Sequence, residues 1–214
     1  MAESSVSVAL EGISHRFGSR SVLVDISLIV CAGQVGVVMG ANGSGKSTLL
    51  KIAAGLVRPE SGKVAFTLES KPVEPMLHRR CIGYVSPDLR LYHELTGVEN
   101  LEFFGRLRGL RLNNDGLRDI LDRVGLLGRG RELVGNYSSG MRQRLKYAYA
   151  LLGSPPILLL DEPTANLDTE GVAMVERVIA GQRSRSGGGL AIIATNEPRE
   201  EAWGDMSVRL NGSK

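Results

Sequence analysis

The chain has 214 residues, 43% of them hydrophobic and 23% charged, with a net charge of +3. That suits one domain able to bury a full core, and it sets no strong electrostatic demand for nucleic acid. No run approaches the roughly 18 apolar residues that a membrane-spanning helix needs; the most apolar region, Val22 to Gly40, is interrupted by Asp25, Gln34 and three glycines.

The N-terminal sequence MAESSVSVALEG has no basic segment followed by an apolar one, so no secretion signal is expected. The first 80 residues read as strands: SVSVALEGI (5–13), SVLVDISLIV (21–30), QVGVVMG (34–40) and KVAFTLE (63–69) alternate or run apolar, with glycine and serine breaks between them. Cys31 and Cys81 show no pairing or metal-binding spacing and fit a reducing compartment.

Between the third and fourth strands lies Gly40-Ala-Asn-Gly-Ser-Gly45-Lys46-Ser47, the pattern of a phosphate-binding loop. Glycines at 40, 43 and 45 let the backbone curl its N–H groups toward phosphate oxygens. Lys46 supplies a point charge for the outer phosphates, and Ser47 a hydroxyl for Mg2+. A helix expected over Thr48–Leu56 presents its positive end to the same anion. Gly40, Ala41, Asn42, Gly43, Ser44, Gly45, Lys46, Ser47 and Thr48 are therefore the candidate nucleotide contacts.

From about Asp88 the pattern turns helical. Val98, Leu101, Phe104 and Leu107 recur every third residue. Leu117, Ile120, Leu121 and Val124 repeat that spacing, with Gly125 as a stop. The arginines between Arg106 and Arg131 read as a solvated helical surface. A nucleic-acid patch calls for interleaved aromatics, and only Phe103 and Phe104 border this stretch, so no nucleic-acid partner is expected. Ser138–Leu152 reads as a further helix, ended by Gly153, Pro155 and Pro156.

ILLLD (157–161) is then a short apolar run typical of a buried parallel strand. It delivers Asp161, a candidate Mg2+ ligand, and Glu162, a candidate general base for the attacking water. Val172–Ile179 reads as a helix, with strands at Leu190–Thr195 and Ser207–Leu210. Strands, a helical insert and then alternating strands and helices give an α/β core carrying a helical lobe over about 88–153.

Tyr137-Ser-Ser-Gly140-Met-Arg-Gln143-Arg resembles the signature motif of ABC ATPases, and Asp161 follows Gly140 by 21 residues, as in that family. Ala165-Asn-Leu-Asp168 resembles the loop after the family's second carboxylate site. Phe17, in HRFG, stands where the family places an aromatic that stacks on adenine. The resemblance implies a P-loop NTPase core with a mixed sheet, an antiparallel β subdomain and an inserted helical lobe. It divides a single domain over 1–214 into 1–87, 88–153 and 154–214. It further implies ATP and Mg2+ as cofactors and a homodimer or paired cassettes. In such a pair, Ser138, Ser139, Gly140 and Met141 contact nucleotide held by the other copy, and Asp168 is a further candidate nucleotide-binding residue. The segment from Leu91 to Leu101 resembles the region that receives a helix from a membrane permease.

Two family residues are absent. After CIGYV (81–85) the family glutamine is replaced within Ser86-Pro87-Asp88, leaving Ser86 or Asp88 to reach the metal. After LAIIAT (190–195) the family histidine is Asn196, which donates a hydrogen bond but carries no proton charge. Two readings follow: hydrolysis with Glu162 as base and Asn196 as a neutral γ-phosphate donor, or binding with very slow turnover. Retention of Glu162 favours hydrolysis. The resemblance is nearest to the ATPases of ABC-2 type exporters, haem exporters among them, seated peripherally on the cytoplasmic face of the inner or plasma membrane. The competing class is a soluble single-cassette ATPase of iron–sulfur assembly.

Overall fold

The computed structural model describes residues 6–211, except for the side chains of 75 and 76. In chain order the elements are β1 (Ser7–Phe17), β2 (Arg20–Cys31), β3 (Val35–Met39), α1 (Lys46–Ala53), β4 (Ser61–Leu68) and β5 (Lys71–Pro72). A 3-10 turn at Pro75–Cys81 leads to β6 (Ile82–Val85), α2 (Gly97–Leu107), α3 (Asn114–Arg123) and α4 (Ser139–Leu151). The chain then forms β7 (Ile157–Asp161), α5 (Thr169–Arg183), β8 (Leu190–Thr195), α6 (Pro198–Glu201) and β9 (Met206–Arg209). The first expected strand began at Ser5, which lies outside the described residues, as do 1–4 and 212–214.

Parallel and antiparallel strands separate into two sheets. One is antiparallel, in the order β2-β1-β4-β5, and the other is parallel, in the order β6-β7-β8-β3-β9. In β1 the buried Val8 and Leu10 alternate with partly buried or exposed neighbours, so one face of the hairpin meets the core. In β3, β7 and β8 every residue is buried, as both faces of the parallel sheet are covered. Within β7, Leu158 and Leu160 join the core under α2 to α5, while Ile157 and Leu159 join the core shared with α1 and the antiparallel sheet. The period of two thus places the parallel sheet as the middle of three layers.

The helices start where their caps dictate. Thr96 and Glu99 form a reciprocal capping box at α2, and Asn113, Ser138 and Asp168 accept backbone N–H bonds at α3, α4 and α5. The Asp168 cap explains why α5 begins before the expected Val172. Helix α4 lies tightly on β6, where a Cβ added to Gly83 would come within 2.1 Å of the Ala150 carbonyl oxygen. Gly83→Ala therefore forces two backbone segments apart. It is expected to cost at least about 2 kcal/mol, read as a fall in Tm of roughly 4–8 °C in a thermal melt.

Strand order positions the chemistry. β8 lies between β7 and β3, and all three run parallel. Met39 is in register with Thr195, and Asp161 with Ala194. The loop after β3, the acids ending β7 and Asn196 after β8 therefore emerge side by side at one edge of the sheet, the usual ligand edge of a parallel sheet.

Candidate functional site

Phe17, Arg20, Val22, Asn42, Gly43, Gly45, Lys46, Ser47, Thr48 and Glu162 line an open cleft of about 430 Å3 at that edge. Its floor is the loop before α1. Gly45 caps that helix with φ of +103°, and a Cβ there would come within 2.7 Å of the Val22 side chain. Only glycine satisfies both the left-handed backbone and the close strand. Above Gly43 the space is open.

Lys46 is 5% exposed. Its Nζ donates to the carbonyls of Gly40 at 2.9 Å and Ala41 at 3.3 Å, and pairs with Glu162 Oε1 at 3.3 Å. Glu162 sits at φ of +50°, a backbone conformation that costs a non-glycine residue about 1–3 kcal/mol. Its N–H donates to Ala194 O at 2.9 Å, extending the ladder past Asp161. The twist sets the two acids apart: Asp161 is buried, while Glu162 turns into the cleft beside Lys46.

Asp161 is 1% exposed, and neither carboxylate oxygen completes a hydrogen bond among the described residues. Burial pushes its carboxyl pKa up, opposed by the nearby Ser47 hydroxyl, raised further by Glu162, and lowered by Lys46 and Lys51. A buried acid without partners, next to a serine hydroxyl and an open cradle, fits a hard divalent cation held with a phosphate. Ser47 and Asp161 are the residues that could hold it.

The folded pKa of Asp161 lies above the unfolded value of 3.8, so the unfolded chain ionises first as pH rises. Stability falls across that window, and the penalty is complete above the folded pKa. Asp161→Asn is expected to raise the Tm of the metal-free chain in EDTA at pH 8 by roughly 2–4 °C, the shift about 1 kcal/mol gives a domain of this size. The gain shrinks toward pH 4, and thermal melts at the two pH values measure it.

Phe17 is 56% exposed at the cleft mouth, with its ring edge-on to His15 at 4.7 Å. Asn196 Nδ2 donates to Asn42 Oδ1 at 3.3 Å, which places it at the rim. Ser44 turns its side chain inward, 1% exposed with its hydroxyl against Gly40, so its part in the loop is left to the backbone N–H. Asp88 turns toward a neighbouring lysine. It pairs with Lys51 at 2.6 Å, which holds its carboxyl below the usual range, and its side chain is 73% exposed. The Ser86 and Pro87 carbonyls are held by Lys146 at 3.1 and 2.9 Å.

Ser138, Gly140, Met141 and Asp168 line a separate cavity of about 430 Å3 with Arg144, and it shares no lining residue with the Lys46 cleft. Asp168 shapes this loop. Its Oδ1 accepts from Gly171 N at 2.8 Å and from Arg144 at 3.0 Å, and those two contacts hold its carboxyl below the usual range. Ser139 faces a third groove with Leu89–Glu94, Arg142 and Lys146. Arg20 and Val22 were not singled out by sequence. Reading RFGSR as a hairpin turn finds Arg20, because it pairs directly opposite Phe17.

The family of ABC transporters matches residues 23–165. The daunorubicin resistance ATP-binding protein DrrA3 of Streptomyces coeruleorubidus is 37% identical over 94% of this chain and 63% of its own length. The cytochrome c biogenesis ATP-binding export protein CcmA of Rhizobium meliloti is 36% identical over 94% of this chain and 96% of its own. The Fe(3+) ions import ATP-binding protein FbpC of Streptomyces coelicolor is 35% identical over 92% of this chain and 56% of its own. The chain thus spans less than two thirds of the length of some relatives and nearly all of others. A solved ATP-binding subunit of an ABC transporter superposes with a TM-score of 0.81 at 26% identity, covering 95% of this chain and 85% of that one.

Proposed function

This chain belongs to the ABC transporter family, and we propose that it is the ATP-binding, ATP-hydrolysing subunit that powers a separate membrane permease in export. The carrying observation is the pair of Lys46 and Glu162, 3.3 Å apart over an open anion cradle, beside the buried Asp161, whose carboxylate completes no hydrogen bond among the described residues.

In this reading residues 1–214 form one ATPase domain, with 1–87 and 154–214 as its core and 88–153 as its helical lobe. Backbone N–H groups of the loop and Lys46 hold the phosphates of ATP. Phe17 offers its exposed ring to the base. Mg2+ on Ser47 and Asp161 neutralises phosphate charge when bound. Glu162 leaves Lys46 as the γ-phosphate takes the lysine, and then accepts the proton of the attacking water. Asn196 donates to the γ-phosphate from the rim. The signature cavity stands apart from the Lys46 cleft within one chain, so a second copy supplies its Ser138, Gly140 and Met141 to complete each site.

No described helix is long and apolar enough to cross a membrane. In this reading membrane work runs through a partner permease, with the chain seated peripherally on the cytoplasmic face. The groove of about 780 Å3 beside Leu89–Glu94 supports such docking, as does the exposed Tyr92–Phe103 aromatic pair, with ring centroids 5.1 Å apart. Export rests on the relatives named for export and resistance, against one named for import.

The test is affinity purification of the tagged chain from gently solubilised membranes. Stoichiometric recovery of a multi-span protein supports the reading. Recovery from the soluble fraction alone, with soluble partners or none, overturns it.

A further inference from the structure

One buried acid has no part in the chemistry above. Glu200 on α6 is 1% exposed. Its Oε1 accepts a short hydrogen bond from the Thr164 hydroxyl, while Oε2 has no partner among the described residues. Thr164 Oγ1 in turn accepts from the Arg199 guanidinium at 3.4 Å. Arg199, Thr164 and Glu200 thus form one chain of donors ending on a buried carboxylate.

The ends of that chain fall at telling places. Thr164 lies two residues after Glu162, and Glu200 lies four residues after Asn196. These are the loops leaving the adjacent strands β7 and β8, and their last shared backbone bond is from Glu162 N to Ala194 O. Beyond it the two loops part. A strut from α4 holds the same stretch from the other side: the fully buried Tyr147 donates to Pro163 O at 2.8 Å. Burial pushes the Glu200 carboxyl pKa up, against the pull of the Thr164 and Thr195 hydroxyls. Burying a carboxylate against threonine hydroxyls, with one oxygen that completes no hydrogen bond among the described residues, is a poor way to stabilise a fold.

We infer that Thr164 and Glu200 are positioning residues that clamp the Glu162 loop to the Asn196 loop, holding the water-activating carboxylate and the γ-phosphate donor at a fixed spacing. The inference rests on the ATPase reading for its kinetic consequence, but the clamp itself is readable without nucleotide.

The experiment uses the full chain with Thr164→Val and Thr164→Ser. Valine keeps the shape and removes both hydrogen bonds; serine restores the hydroxyl. In the valine variant kcat for ATP is expected to fall at least about tenfold with KM within about twofold, since small misplacement of catalytic groups acts on the transition state. Serine is expected to recover kcat to within about threefold of the parent chain. Amide hydrogen exchange without nucleotide reads the clamp directly. Ala165 N and Leu167 N donate to the Glu162 and Thr164 carbonyls at 3.2 and 3.1 Å, and both are expected to exchange faster in the valine variant. Glu200→Met, which keeps the length of the side chain but removes both acceptor oxygens, carries the same two readouts should valine fail to fold. A valine variant with kcat within about twofold of the parent and unchanged exchange overturns the clamp. A parent chain that turns over no ATP, while its valine variant still loses protection, keeps the clamp and overturns the ATPase reading instead.

Discussion

Glu162→Gln is expected to abolish ATP turnover, with kcat down at least about 100-fold, while ATP affinity stays within about threefold. Glutamine has the size and hydrogen-bonding reach of glutamate but no basic oxygen for the proton of the attacking water. The strained backbone at 162 does not depend on the side chain, because the N–H to Ala194 and the acceptor role toward Ala165 N belong to the main chain. The geometry of the cleft therefore survives the substitution. Removing the negative charge also removes the partner of Lys46 at 3.3 Å, which frees the lysine for phosphate rather than weakening its hold. Nucleotide binding by equilibrium dialysis and phosphate release by the same preparation separate the two effects. Full activity in the glutamine variant removes Glu162 as the base.

Lys46→Met is expected to do the reverse, losing binding first. The lysine is 5% exposed, with its stem enclosed and its Nζ held by two loop carbonyls and one carboxylate, so it is already aimed at the mouth of the cradle. Methionine fills the same volume without charge. A charge-assisted hydrogen bond to a charged group is worth about 1.5–3 kcal/mol, so ATP affinity is expected to fall roughly 10- to 150-fold. The variant also leaves Glu162 beside an apolar group, with water as its remaining partner. Titration of a fluorescent ATP analogue gives the affinity, and an affinity equal to that of the parent removes Lys46 from the phosphate site.

The two substitutions mark what the sequence made legible. The loop from Gly40 to Ser47 and the Asp161–Glu162 pair were readable because each is local: a few consecutive residues state both the backbone shape and the chemistry. The buried strands of the parallel sheet were readable from their apolar runs, since strands covered on both faces carry no polar alternation. Helix limits were less so. Helix α1 begins at Lys46 because Gly45 takes the cap, two residues before the expected Thr48, and α5 begins at Thr169 because Asp168 caps it.

What sequence could not supply is long-range pairing. The hydroxyl of Thr164 meets Glu200 across 36 residues, and Lys51 takes Asp88 across 37. The second contact gives Asp88 a partner that the motif does not state. No spacing rule announces either contact. Ser44 shows the opposite limit. It sits inside a recognisable loop pattern, but the tight approach of Gly40 turns its side chain inward. The order β6-β7-β8-β3-β9 was equally hidden, yet it is the feature that brings three distant loops to one edge.

The most direct test is phosphate release from Mg-ATP by the purified chain, measured across a range of chain concentrations with the Lys46→Met variant as background. In the proposed reading two copies complete each site, so the predicted result is a rate per chain that climbs with concentration and vanishes in EDTA. Release no greater than the Lys46→Met background at every concentration contradicts the account.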